Sequence, residues 1–300
     1  MDLDVMARLE RQGERWRWLG FVLAVHHRAS ELHGSQMASA ITLTAFITLF
    51  PLLLVAIAVI GFVSASDNDV AARIVENLGL TGRAAETVTD AIATAEKSRR
   101  LASVIGVVGL LWTGLGFAGA LAYAYNTAWQ VKGRGIRDRA YALGWFVGLG
   151  VLAAATFATT SAIEWLGAAV APLLLLAGIA INVALFLWTS WILPNRKVGI
   201  RPLLPAAIVG GVVFEALKVI GTLVVPRLVA DSSALYGTIG VVFATLAWLL
   251  ILGRLVVYVA TIEVVSWEAQ RGTQRTVIEL PALPDSHPVA STRSGGREEA

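Results

Sequence analysis

The chain has 300 residues, of which 56% are hydrophobic and 15% charged, with a mean hydropathy of +0.69 and a formal net charge of +3. This composition excludes a water-soluble protein of two ordinary domains, because stretches able to cross a hydrocarbon core of about 30 Å take up most of the length. The absence of cysteine excludes disulfides, thiolate metal sites and cysteine nucleophiles.

Residues 1–34 carry Arg8, Arg11, Arg15, Arg17 and Arg28, and from Trp16 to His33 they mix Trp, Phe and Leu with Arg and His. The pattern predicts a helix, either interfacial on the inner leaflet or simply cytoplasmic. The apolar run Leu19 to Val25 ends in His26-His27 without a small-residue cleavage pattern, so the first span is expected to serve as an uncleaved anchor. From Ser35 to Ser66 there is no charge in 32 residues. The first span is placed at 38–63, kinked at Pro51, with Thr48 and Thr44 positioned to help satisfy the freed carbonyl. Residues 67–100 are too long for a turn, and their Ala-rich helical spacing predicts one or two short helices on the external face.

Leu101 to Val131 is uncharged and holds the second span, with Trp112 inside it and Tyr123, Tyr125 and Trp129 as an interfacial belt at its end. Between Ala140 and Pro194 the only charge is Glu164. That stretch is too long for one crossing and is read as a helical hairpin turning at Glu164 and Trp165. The fifth span, 203–225, contains Glu215 and Lys218, and the sixth, 236–262, contains Arg254. Residues 35–268 thus form a membrane domain. The Pro-, Ser- and Gly-rich residues 269–300, with Pro281, Pro284 and Pro288, are expected to be a disordered tail.

The expected fold is all-α, a polytopic membrane protein with six transmembrane helices. Lys and Arg number 16 on the side of the two termini and 6 on the other, which predicts both termini inside. Topology and anionic lipid therefore account for the basic charge, and nucleic acid is not an expected partner.

Charges inside a span are costly, so Glu215, Lys218 and Arg254 require a reason. Glu215 and Lys218 share a helix face, and an arginine on the antiparallel sixth span could reach the same depth. The three are expected to form one buried cluster of net positive charge. It is read either as a structural ion network or as a polar site for an anionic headgroup or solute, with snorkelling left open for Arg254. Asn126 could cap or bind, with helix packing preferred. Glu164 and Glu263 are expected at solvated helix ends. Glycines recur at small-residue spacing in the second, third and fifth spans, and Gly210-Gly211 before Glu215 suggests a broken helix.

Several strings resemble a known family. They are Thr48-Leu49-Phe50-Pro51-Leu52-Leu53, the second-span run from Gly109 through Asn126 to Trp129, and Leu193-Pro194-Asn195 with Val198. Gly210-Gly211, Glu215-Ala216-Leu217-Lys218, Leu235-Tyr236-Gly237-Thr238-Ile239-Gly240 and Glu263 follow in order. Order and spacing together are similar to the YihY/BrkB group of bacterial inner-membrane proteins over about residues 30–268. Leu43 and Thr44 depart from it, standing where many relatives carry an aromatic pair. The resemblance implies a six-helix protein of the inner membrane, with no agreed substrate and an older ribonuclease label. The residues give that label no support, since the histidines are His26, His27, His33 and His287, all in tails. With Glu31 they are read as a helix face rather than a metal site. No enzyme activity, metal or other cofactor is expected, and no nucleotide-binding loop is present.

These readings favour a transporter or flippase-like protein for an anionic lipid, amphiphile or small solute, with Glu215, Lys218, Arg254 and Asn126 as candidate binding residues. The alternative is a non-transporting scaffold for envelope assembly. Membrane lipids are the expected partners, with a homo-oligomer or envelope proteins also open. A polar cavity lined by Glu215 and Lys218 would favour transport, and a solid apolar bundle the scaffold.

Overall fold

The computed structural model describes residues 17–66, 83–166, 171–196 and 198–271. Among the described residues the regular structure is seven helices: α1 Arg17–Glu31, α2 Gly34–Ser66, α3 Arg83–Ala128, α4 Arg137–Leu166, α5 Ala171–Ile192, α6 Ile200–Tyr236 and α7 Thr238–Gln270. Six of them, α2 to α7, are long and apolar enough to cross a membrane.

The six spanning helices close into a ring in chain order. Each packs on its sequence neighbours, and α7 returns against α2; α7 also touches α3 and carries α1 on its flank. Connections at the end where α2 begins are short, so adjacent spans run antiparallel. Small side chains mediate the close contacts: Ala38, Ala118, Ala124, Ala206, Ala207 and Ala260 are buried. Large apolar side chains such as Phe50, Trp112, Val147 and Phe243 face outward. That distribution suits hydrocarbon as solvent, where association depends on close packing rather than on removing apolar surface from water. The main core cluster joins Leu32, Met37, Trp129, Leu193, Leu203 and Val264, toward the end that carries α1.

Several expected boundaries shift. The segment expected to be external is not a separate short helix over 83–100, because those residues form the first turns of the 46-residue α3; residues 67–82 lie outside the described residues. The 55-residue stretch is indeed two helices, α4 and α5, packed on each other. Glu164 and Trp165 fall in the last turn of α4 rather than in the connection, and their side chains lie outside the described ones. The expected disordered tail from 272 onward also lies outside the described residues.

Three local expectations are corrected. First, α2 runs through Pro51 as one helix, as expected, but the threonines do not serve the carbonyl that Pro51 frees. Thr48 Oγ1 donates to the Thr44 carbonyl at 2.7 Å, one turn too early, and Thr44 Oγ1 to the Ala40 carbonyl at 2.8 Å, two turns too early. Second, α6 is not broken at Gly210-Gly211. Those glycines serve approach: a Cβ on Gly211 would lie 2.6 Å from the Val183 backbone nitrogen of α5. Third, α7 runs to Gln270 instead of ending near 262, so Glu263 is not at a solvated end but has 0% of its surface exposed.

Candidate functional site: a ring of spans with a central cavity and a basic mouth

Glu215 and Lys218 stand one turn apart on α6, with Lys218 Nζ 2.7 Å from Glu215 Oε2. The same oxygen accepts a hydrogen bond from Asn182 Nδ2 of α5. Gly178, one turn from Asn182, leaves space for the carboxylate: a Cβ there would lie 3.3 Å from both of its oxygens. Glu215 is therefore seated against α5, whereas the Lys218 side chain is 41% exposed. Asn182 was not among the sequence candidates. Its signal is that it is the one amide in α5, whose other polar residues are Thr189 and Ser190 near its end.

Arg254 does not join this pair. The face of α7 that meets α6 carries Leu255 and Val259, packed with Ala206 and Ala207. Arg254 looks instead toward α1 and lines a cavity of about 410 Å³ with His26, Ser30, Ser35 and Tyr258. There His26 Nδ1 lies 3.1 Å from the Tyr258 hydroxyl. The expected cluster of three charges thus holds two, which neutralise each other, because helical depth alone did not fix the direction in which α7 presents residue 254.

Asn126 forms a clasp. Its Oδ1 accepts the backbone N–H of Asn195 at 2.7 Å, and Asn195 Nδ2 donates to the Lys132 carbonyl at 2.8 Å. Arg134 strengthens the same junction: its guanidinium donates to the carbonyls of Leu193, at 3.2 Å, and Pro194, and stacks over the Tyr141 ring at 3.8 Å. The turn after α5 is thereby tied to the turn after α3. Of the alternatives for Asn126, the geometry matches packing.

Glu263, Tyr125 and Ser190 bring α7, α3 and α5 together in the core. The Ser190 hydroxyl is 3.5 Å from the Tyr125 hydroxyl, and among the described residues neither of the buried Glu263 oxygens has a hydrogen-bond partner. Among the described residues no group of three or more His, Cys, Asp or Glu converges as metal ligands would.

Besides the cavity at Arg254 and one of about 380 Å³ beside Arg28, Trp129 and Glu268, two spaces bear on ligand binding. The first, about 260 Å³, lies inside the ring and is bounded by every spanning helix: Ile41 of α2, Leu121 of α3, Leu149 of α4, Phe186 of α5, Phe214 of α6 and Leu252 of α7. Its wall is almost wholly apolar. Two of its few polar atoms satisfy each other, Trp145 Nε1 donating to Thr189 Oγ1 at 3.0 Å. Neither Glu215 nor Lys218 lines it. The second space, about 820 Å³, opens at the end where α4 begins and is lined by Arg134, Arg137 and Arg196 among others. Burial lowers the Arg196 guanidinium from its usual value, with Arg271 nearby acting in the same direction. An arginine remains cationic under such a shift.

Comparison with known proteins fits this architecture. The family described as virulence factor BrkB matches residues 25–279. An uncharacterized protein of Dickeya dadantii (strain 3937) is 28% identical over 241 residues, covering 71% of this chain and 73% of that protein. Inner membrane protein YhjD of Escherichia coli (strain K12) is 25% identical over 290 residues, covering 86% and 84%. No solved structure matches. With the family match covering most of the chain and six apolar helices to span the bilayer, the chain belongs to the BrkB family and is a multi-pass protein of the bacterial inner membrane.

Proposed function

We infer that this protein moves an anionic amphiphile, a membrane lipid foremost, between the leaflets of the inner membrane. The observation that supports the reading best is the cavity of about 260 Å³ to which all six spanning helices contribute. A bundle whose only task is to be a rigid anchor gains from filling such a space, since every unfilled volume forfeits dispersion contacts. An apolar interior just below the usual size of small-molecule sites, roughly 300–1,000 Å³, suits part of a hydrocarbon chain. The basic bay, a separate space at the end expected to face the cytoplasm, supplies attraction for a negative headgroup. The polar site expected at Glu215 and Lys218 takes a structural role in this reading, because the pair is internally compensated and faces α5. The scaffold alternative would draw on the external segment, of which 67–82 lies outside the described residues.

The reading is tested by reconstituting the purified protein into vesicles that carry a labelled anionic lipid and following the fraction accessible from outside. Protein-dependent acceleration of leaflet exchange is the expected result, with Lys218→Ala retaining it if folded. Exchange no faster than in empty vesicles rejects lipid movement by this chain alone.

A further inference from the structure

The three arginines of the basic bay differ in what already engages them. Arg134 is committed to the carbonyls of Leu193 and Pro194, and Asp138 lies 3.7 Å from it. Arg196 stacks on Trp129 and Trp267, at 4.6 and 4.3 Å from the ring centres, which holds its plane without occupying its N–H donors. Arg137, the first residue of α4, is exposed. Among the described residues no carboxylate lies within ion-pair distance of Arg137 or Arg196, and no acid lines the bay. The concavity therefore holds two guanidinium groups without a salt-bridge partner among the described residues, Glu268 acting on Arg196 only from beyond ion-pair distance, and their planar forks match the oxygens of a phosphate.

The other wall is aromatic. Trp191 and Tyr141 line the same bay and are 51% and 42% exposed. Rings with an apolar body and a polar edge favour the depth at which headgroup meets acyl chain. The inside bias of basic residues explains charge in these loops, but it does not require that the arginines and aromatic rings line one cavity.

We propose that this bay binds a phosphate group, carried on the headgroup of an anionic membrane lipid, with Arg137 and Arg196 as its ligands. The proposal deepens the transport reading by naming the headgroup chemistry and rests on it for the purpose of the site, while binding is measured without transport. The backbone tie made by Arg134 holds the turn that carries Arg196 in place beside Arg137.

The test is titration calorimetry of the full-length protein in neutral detergent with dioctanoyl phosphatidic acid, dioctanoylglycerol and inorganic phosphate. The expected result is one saturable site for phosphatidic acid, absent for dioctanoylglycerol. Arg137→Gln should weaken it about tenfold, the scale of one charge-assisted contact. Arg196→Lys, which keeps the charge but loses the fork, should weaken it as well, and Arg139→Gln, a neighbouring cation outside the bay, should leave it unchanged. Inorganic phosphate competing with the same arginine dependence supports the site and assigns it to a soluble phosphate. Equal binding of dioctanoylglycerol, equal losses in Arg139→Gln and Arg137→Gln, or no arginine-dependent binding overturns the proposal. Arginine-dependent binding without leaflet exchange would sink the transport reading and leave this site standing.

Discussion

Asn126 and Glu263 show how differently two buried polar residues can act. The Asn126 oxygen accepts the Asn195 N–H and so joins two turns 69 positions apart in sequence. Losing it leaves a donor without its partner, so Asn126→Ala should lower stability in detergent by about 1–3 kcal/mol, whereas Asn126→Asp keeps an acceptor and should retain most of it. A thermal melt in which both variants lose equally would contradict the clasp. Glu263 has no such partner for either oxygen. A buried carboxylate without a cation costs stability, so Glu263→Gln, of nearly the same shape, should melt no lower than the wild type. A fall of several degrees would mean that the carboxylate is held by a charge absent from this arrangement. The sequence marked both residues and a packing role for Asn126, but neither its partner Asn195 nor the burial of Glu263, because these depend on which side chain arrives from a distant segment.

At the scale of elements, the existence of the spans followed from charge-free or charge-poor runs, and that of α1 from its mix of aromatic and basic residues, but their ends did not. Hydropathy registers where apolar character stops, whereas α3 begins at Arg83, in a segment with Glu86, Asp90 and Glu96, and α7 continues to Gln270. The added turns of α3 continue the helix, and those of α7 are also held by packing on α1, with Arg28 3.2 Å from Glu268, which composition does not report. Glycine spacing was similarly half informative. A Cβ on Gly106 would lie 2.9 Å from the Val55 backbone nitrogen of α2, while Gly116 has nothing within 4 Å. Gly106→Val should therefore separate α2 from α3 and cost about 1–3 kcal/mol as an overpacked contact. Gly116→Ala should be neutral or gain a little from helix propensity. Equal melting temperatures for the two variants would refute the close α2–α3 contact.

For the whole molecule, the ring order was not legible. Hydropathy counts spans but does not say that α7 returns to α2, and it cannot reveal a cavity that exists only once six faces converge. The expected orientation does have a direct check. The chain has no cysteine, so single reporters can be introduced without background. In intact cells Thr94→Cys should react with a membrane-impermeant thiol reagent and Lys132→Cys only after permeabilisation, as positive-inside bias dictates. The reverse pattern would place the basic bay on the outer face and remove the cytoplasmic leaflet as its source of lipid.

The central claim is that the space inside the ring is the path. Ala45 lines that space, whereas Ile251 of α7 is 45% exposed. The decisive measurement is the rate of labelled anionic lipid exchange in vesicles holding wild type, Ala45→Phe or Ile251→Phe, each with its melting temperature recorded. Filling the cavity should bring Ala45→Phe down toward the empty-vesicle rate while Ile251→Phe stays near wild type, both remaining folded. Wild-type exchange by a folded Ala45→Phe protein would contradict the account.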